Sequence, residues 1–161
     1  MPAWFERASD PESAVLAGDP IPESVEMGFR WLQRHRERFR RQAGLRWAIV
    51  PKGSTDGVGT IGLAITSEEK RISELGIVIV RAYWGQGIGT SAARLVTGYA
   101  FGTLGLAEVR AEALQRNLAS RRLLEKVGFH LLRAIPGDPH SDTDFEDRFL
   151  FVLSGQNRTL T

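Results

Sequence analysis

Gly85-Gln86-Gly87-Ile88-Gly89-Thr90 follows closely on the apolar run Gly76-Ile77-Val78-Ile79-Val80 and leads into a stretch with helical periodicity. Glycines at alternate positions let backbone N–H groups converge on an anion, because side chains there would block close approach. A helix that begins at the end of the run adds its unpaired first-turn N–H groups and the positive end of its dipole. Together these suit a pyrophosphate. A tight strand-to-helix turn without a ligand is the alternative, and three glycines between a buried strand and a helix favour the anion site.

Outward from this turn the chain reads as a mixed α/β domain. Ile72 to Val80 is a strand whose end is apolar on both faces, which predicts a central position in a sheet. Before it, Trp47 to Val50 and Gly59 to Ile65 are short β-rich runs joined by Lys52-Gly53-Ser54-Thr55-Asp56-Gly57, a turn composition that predicts a hairpin. Residues 23–42 read as a helix capped by Ser24, with Val25, Gly28, Phe29, Leu32 and Phe39 near one face. After the turn, residues 90–103 read as a helix packing through Ala92, Leu95, Val96, Tyr99 and Ala100. Glu108 to Leu114 alternates as a strand, and residues 118–127 form a short helix stopped by Gly128. Phe129 to Ile135 and Arg148 to Leu153 are two further strands. The order is an antiparallel front half with a βαβ unit in the middle, a single α/β (α+β) domain over residues 1–161.

Composition narrows the function classes. The 161 residues include no cysteine, which excludes a disulfide framework, a thiolate metal site and a cysteine nucleophile. With 42% hydrophobic and 25% charged residues the chain can bury a core. Its 21 basic and 19 acidic residues leave a net charge of only +2, which gives little support to a nucleic-acid partner. Arg30, Arg34, Arg36, Arg38, Arg40, Arg41 and Arg46 crowd one stretch and are expected on the solvated face of a helix. Asp138, Asp142, Asp144, Glu146 and Asp147 crowd the loop 136–147. With His140 they fit no metal-ligand spacing, and the loop reads as solvated or as an attractor of a cationic amine. No apolar run approaches the about 20 residues of a membrane span and no signal peptide is evident, so a soluble cytoplasmic protein is expected.

Which nucleotide the turn holds is less direct. No Gly-Lys-Ser/Thr follows, which excludes a Walker A loop. Gly87-Ile88-Gly89-Thr90-Ser91-Ala92 fits the dinucleotide fingerprint, with Glu112 at a suitable distance to meet a ribose. That fingerprint normally opens its domain, however, and here a hairpin precedes it. Too few βα units follow to complete a doubly wound sheet. A nicotinamide-dependent oxidoreductase stays as the minor alternative.

Two blocks resemble a known family. Val80 to Thr90 resembles the acetyl-CoA motif Q/R-x-x-G-x-G/A of the GNAT (Gcn5-related) N-acetyltransferases, and Asn117-Leu118-Ala119-Ser120-Arg121-Arg122-Leu123-Leu124-Glu125-Lys126-Val127-Gly128-Phe129 is similar to its N-x-x-A/S-x-x-L-Y-E-K-x-G-F segment. Tyr83-Trp84-Gly85, Asn117 with Ser120, and Asp19-Pro20-Ile21-Pro22-Glu23-Ser24 look like the RimJ/RimL-like branch, whose members acetylate protein N-termini or small-molecule amines. Trp84 replaces the general motif's Gln or Arg, Ser91 a frequent Glu, and Leu124 the Tyr that often acts as general acid. The family's first strand has only Trp4-Phe5-Glu6-Arg7 as a candidate stub, and a missing strand leaves a homodimer open.

The resemblance implies a sheet splayed into a V, flanked by helices, with the pantetheine arm of acetyl-CoA inserted between two strands. It implies backbone contacts from Ile77, Ile79 and Val80, pyrophosphate contacts from Gly85, Gln86, Gly87, Gly89 and Thr90, and a pantetheine contact from Asn117, which also suits a helix N-cap. Arg122, Arg121 or Arg81 would meet the CoA phosphates. The implied activity is acetyl transfer to a primary amine, with no metal. Glu74 is the candidate base and Ser120 the candidate proton donor to the departing thiolate. A solvated strand-end carboxylate and a small packing residue are their bland alternatives. An acyl-CoA-binding domain without turnover is the second reading.

Overall fold

A computed structural model describes residues 5, 8–17, 21–141 and 146–155. Its elements are α1 (Pro11–Ala17), α2 (Val25–Arg40), β1 (Gly44–Ile49), β2 (Gly59–Ser67), β3 (Ile72–Ile79), α3 (Ile88–Gly102), β4 (Glu108–Leu114), α4 (Leu118–Val127), β5 (His130–Ile135) and β6 (Arg148–Ser154). A 3₁₀ turn, Arg81–Tyr83, links β3 to the glycine run.

The described strands form one sheet in the order β1-β2-β3-β4-β6-β5. All neighbours run antiparallel except β3 and β4. That parallel pair is registered over Ile72↔Glu108, Ser73↔Val109 and Glu74↔Arg110 and then stops, although β3 continues to Ile79 and β4 to Leu114. This is the expected splay. Val80 gives its N–H to the Val58 carbonyl at 2.8 Å, so alternation turns the N–H and C=O of Ile77 and Ile79 toward the gap.

One face of the sheet carries the core. Leu63, Leu75, Val109, Ala111 and Phe151 pack there against Ala93, Val96 and Ala100 of α3 and Leu124 of α4. Burial of each of the larger side chains contributes about 1.5–3 kcal/mol. Gly128 (φ 109°) ends α4 as expected, its N–H bonded to the carbonyls of Leu124 and Glu125.

Several expectations need correction. β1 begins at Gly44, earlier than Trp47, because its length is set by pairing with β2 and not by its apolar run. Gly28 is the only buried residue of α2, and Phe29 and Phe39 are exposed. Ser24 occupies the N-cap with extended backbone, but its side chain makes no capping bond. On α3, Leu95 is exposed, and Tyr99 packs edge-on against Trp47 at 5.7 Å between ring centroids. Phe5 is helical, not part of a strand, and its carbonyl accepts from the Ser9 N–H at 2.8 Å. The rest of that stub, Trp4, Glu6 and Arg7, lies outside the described residues, as do Asp19, Pro20, Asp142 and Asp144.

Candidate functional site

A cleft of about 370 Å³ opens at the splay, bounded by the end of β3, the glycine run, and the first turns of α3 and α4. Gly85 and Gly87 both adopt left-handed backbone, with φ of 75° and 77°. Gly87 is the N-cap of α3, and the first bond of that helix runs from the Ser91 N–H to the Gly87 carbonyl at 3.0 Å. The N–H groups of Ile88, Gly89 and Thr90 are therefore left for a ligand. Gly89 is a glycine for another reason. A Cβ there would stand 2.7 Å from Leu123 Cδ1 and 2.9 Å from Ile79 Cδ1, so it lets α3 close on α4 and β3.

Side chains brace the turn. Trp84 donates its indole N–H to the Ile79 carbonyl at 2.8 Å, and Gln86 donates to the Ala82 carbonyl at 3.0 Å. Gln86 and Val80 thus serve the backbone, and neither lines the cleft. Ile77, Ile79, Gly85, Gly87, Gly89, Thr90, Asn117, Ser120 and Arg122 do line it.

From α4, Asn117 accepts the Ser120 N–H on Oδ1 at 3.0 Å and donates Nδ2 to the Leu16 carbonyl at 3.1 Å. It is thus an N-cap and a tether that holds α1 over the cleft. Leu16 also lines the cleft, and no sequence motif points to it. The Ser120 hydroxyl has no hydrogen-bond partner among the described residues. Of the three candidate arginines only Arg122 reaches the cleft. Arg81 pairs with Asp10 (3.8 Å) and Glu12 beside α1, and Arg121 lies 4.8 Å over the Phe149 ring and bonds the Gln115 carbonyl. Leu124, in the family's Tyr position, is buried in the core.

Glu74 lies elsewhere. It lines a recess of about 110 Å³ on the opposite sheet face, with His35 and Arg38 of α2, Arg46 of β1 and Gly76 of β3. Gly76 lines this recess and its neighbour Ile77 lines the cleft, so the two lie on either side of β3 where it parts from β4. The Glu74 side chain is exposed, yet surrounding protein atoms, and secondarily Glu112, raise its pKa above the ordinary carboxylate value. Glu112 itself pairs with Arg148 at 3.4 Å on this face, away from the glycine run, which removes its ribose role.

His35 was not singled out by sequence. Burial, then Arg46, Arg38 and Arg34, push its pKa down to about 4. The folded protein then takes up this proton only near pH 4, whereas the unfolded chain takes it up near 6.5. Stability is expected to fall as pH drops through that window. Glu74 contributes with the opposite sign, favouring the fold at acid pH and losing that share as pH rises through its raised folded value. Urea midpoints at pH 7 and pH 4.5 should differ less in His35→Gln than in the wild type; an equal difference in both would exclude His35 as the source.

Three of the described acidic residues of the loop have partners. Arg116 pairs with Glu146 (2.7 Å), Asp147 accepts the Gly137 N–H (2.8 Å) and Asp138 the His140 N–H (2.9 Å). Among the described residues no group of acidic and histidine side chains could hold a metal, and no helix is long and apolar enough to cross a membrane.

Residues 1–130 match the family model of the acetyltransferase (GNAT) domain, and the chain belongs to that acyltransferase family. Among its relatives, an uncharacterized N-acetyltransferase, YoaA of Bacillus subtilis, is 32% identical over 79% of this chain and 72% of its own length. In fold the structure is similar to RimJ of Mycobacterium smegmatis in complex with CoA-disulfide, with a TM-score of 0.83 at 20% identity, covering 99% of this chain and 79% of that one. It is also similar to spermidine N-acetyltransferase of Vibrio cholerae in complex with CoA and spermine, with a TM-score of 0.82 at 14% identity, covering 96% and 89%.

Proposed function

We propose that the chain moves an acetyl group from acetyl-CoA to a primary amine, either a protein N-terminal α-amine or the amine of a small molecule, by direct attack on the thioester. The observation that carries this is the cleft at the splay, closed at one end by the left-handed glycines and free N–H groups of α3. RimJ and spermidine N-acetyltransferase, of the same fold, were both solved with CoA-type ligands. The pyrophosphate would lie on the N–H groups of Ile88, Gly89 and Thr90, and Arg122 would meet a phosphate. The pantetheine amides would pair with Ile77 and Ile79. The free Ile79 lone pair remains available, since a carbonyl oxygen carries two and Trp84 takes one.

The neutral amine attacks the thioester carbonyl from the Glu74 side of β3. The C–N bond forms, the C–S bond breaks, the amine proton passes to Glu74 directly or through water, and the CoA thiolate takes a proton from Ser120 or solvent. An α-amine of pKa about 7.7–8.0 needs only about 1 kcal/mol to be neutral at pH 7, against about 4–5 for a lysine, so one weak base suffices. Binding of acyl-CoA without turnover is the second reading, favoured by Leu124, whose buried apolar side chain supplies no acid.

Acetyl-CoA and CoA should raise the melting temperature and NAD should not. CoA thiol release should be measured across N-terminal peptides and small amines; the chain, lacking cysteine, adds no thiol background. Stabilisation by acetyl-CoA with no release for any amine would establish the second reading. Ser120→Ala is expected to lower kcat with little change in acetyl-CoA affinity. Unchanged turnover would remove Ser120 from the mechanism.

A further inference from the structure

Arg46, Gly62 and Gly76 form one row across β1, β2 and β3, in register. Glycine inside a strand weakens it and marks a close approach. Neither glycine has the left-handed backbone that would require it. Space is the reason. A Cβ on Gly62 would lie 2.7 Å from the Leu45 carbonyl oxygen and 3.0 Å from Arg46 Nε, and one on Gly76 would lie 3.3 Å from Arg46 Nη2. The Arg46 side chain therefore lies along the sheet, crosses β2 and ends over β3. Thr60 Oγ1 accepts from Nη1 at 3.2 Å, and the Trp31 ring sits 5.6 Å from the guanidinium carbon. The sequence has thus given up two strand side chains to lay a guanidinium beside the point where β3 leaves β4.

That point is the recess shared with Arg38, His35 and Glu74. Its volume of about 110 Å³ holds roughly three to four water-sized groups at about 30 Å³ each, enough for a carboxylate and a short carbon segment. Among the described residues that line it, Arg46 and Arg38 face one carboxylate, Glu74, with Glu112 and its partner Arg148 further along the same face and His35 neutral above about pH 4. A polyamine would meet cations here. A molecule carrying an amine and a carboxylate a few bonds apart would meet the opposite charge at each end, and guanidinium is the group best shaped to hold a carboxylate.

We propose that the acceptor is such an amino-carboxylate, its carboxylate held by Arg46 and Arg38 and its amine set beside Glu74. The assignment rests on the acetyl-transfer reading above and adds the substrate class. A free amino acid and a peptide whose first residue is acidic share this chemistry, and the assay separates them.

CoA release by the full chain is compared, with each rate corrected for the fraction of neutral amine at the assay pH, for alanine and alaninamide, for peptides beginning with glutamate and with glutamine, and for spermidine. For at least one of the two pairs, the acid should exceed its amide in kcat/KM by roughly ten- to a hundredfold, the worth of one charge-assisted pairing. The pair that shows the preference identifies the source. Arg46→Gln should bring that ratio toward one, and Arg46→Lys should restore part of it. Gly76→Ala, which only displaces the flexible tip of Arg46, should lower the ratio too and guards against a folding defect in the first variant. Calorimetry with acetyl-CoA accompanies each protein. Turnover with no acid preference, or with spermidine preferred, overturns the amino-carboxylate assignment alone. A ratio unmoved in both Arg46→Gln and Gly76→Ala also overturns it. Wild-type protein that binds no acetyl-CoA overturns the reading beneath it, and the assignment falls with it.

Discussion

Replacing Gly87 by valine is expected to weaken acetyl-CoA binding by roughly a hundredfold or more, equivalent to the about 3 kcal/mol of two hydrogen bonds to a charged group. Crowding in the free protein is not the cause, because a Cβ at this position would meet nothing within 4 Å. The cause is conformation. Gly87 holds φ at 77°, a left-handed geometry that costs an ordinary L-residue about 1–2 kcal/mol and a β-branched one more. Valine relieves this strain by turning the peptide, which swings the neighbouring N–H groups away from the ligand. Asparagine tolerates left-handed backbone, so Gly87→Asn should retain far more affinity than Gly87→Val. Calorimetric titration of both variants, with far-UV circular dichroism as a folding check, decides it. Acetyl-CoA binding by a folded valine variant within threefold of wild type would remove the pyrophosphate from this turn.

Glu74→Gln should lower kcat/KM for the amine by about 10²–10⁴, the usual worth of a positioned base, with acetyl-CoA affinity little changed. The separation follows from placement, since Glu74 lies in the recess across β3 from the cleft. Its pKa is raised first by partial desolvation from the surrounding protein atoms and second by Glu112. Two ionisations therefore shape the acid side of the pH–rate profile, that of the amine itself and that of Glu74. The Glu74 limb should lie above the ordinary carboxylate range in the wild type and be absent in Glu74→Gln, which keeps only the limb of the amine. Glu112→Gln should shift the limb down without abolishing turnover. A wild-type limb unmoved by Glu74→Gln, with kcat within threefold at neutral pH, would exclude Glu74 as the base.

Much of this architecture was legible in the sequence because the relevant forces are local. Left-handed turns demand glycine, and a strand buried on both faces shows no alternation, so the β3–turn–α3 unit could be read from residues 76–103. The faces of α2 and α3 were read less well. Periodicity put Phe29, Phe39 and Leu95 inside, but how much of a helix is covered depends on the elements around it, and all three are exposed. The anion turn was found as a unit, yet Gln86 and Trp84 brace backbone carbonyls, a division of labour that composition cannot reveal. The recess was missed almost entirely. Its members come from α2, β1, β2 and β3, and no short motif joins them. Gly62 and Gly76 were the available signal, as glycines inside strands, and they become informative once register sets them beside Arg46. That arginine belongs to a basic stretch expected to be solvated, and it is instead half-buried.

The three-residue seam between β3 and β4 divides the sheet into an early half, β1 to β3, and a late half, β4 to β6, each held internally by longer antiparallel pairs. Within the plane of the sheet, backbone cooperativity is strong inside each half and thin between them. A molecule lodged in the gap and bonded to the edge of β3 would act as a splint. Amide protons of Ile77 and Ile79, which lack a strand partner on that side, would then exchange slowly with solvent only while the splint is in place, and the two halves would open together where before they could open separately.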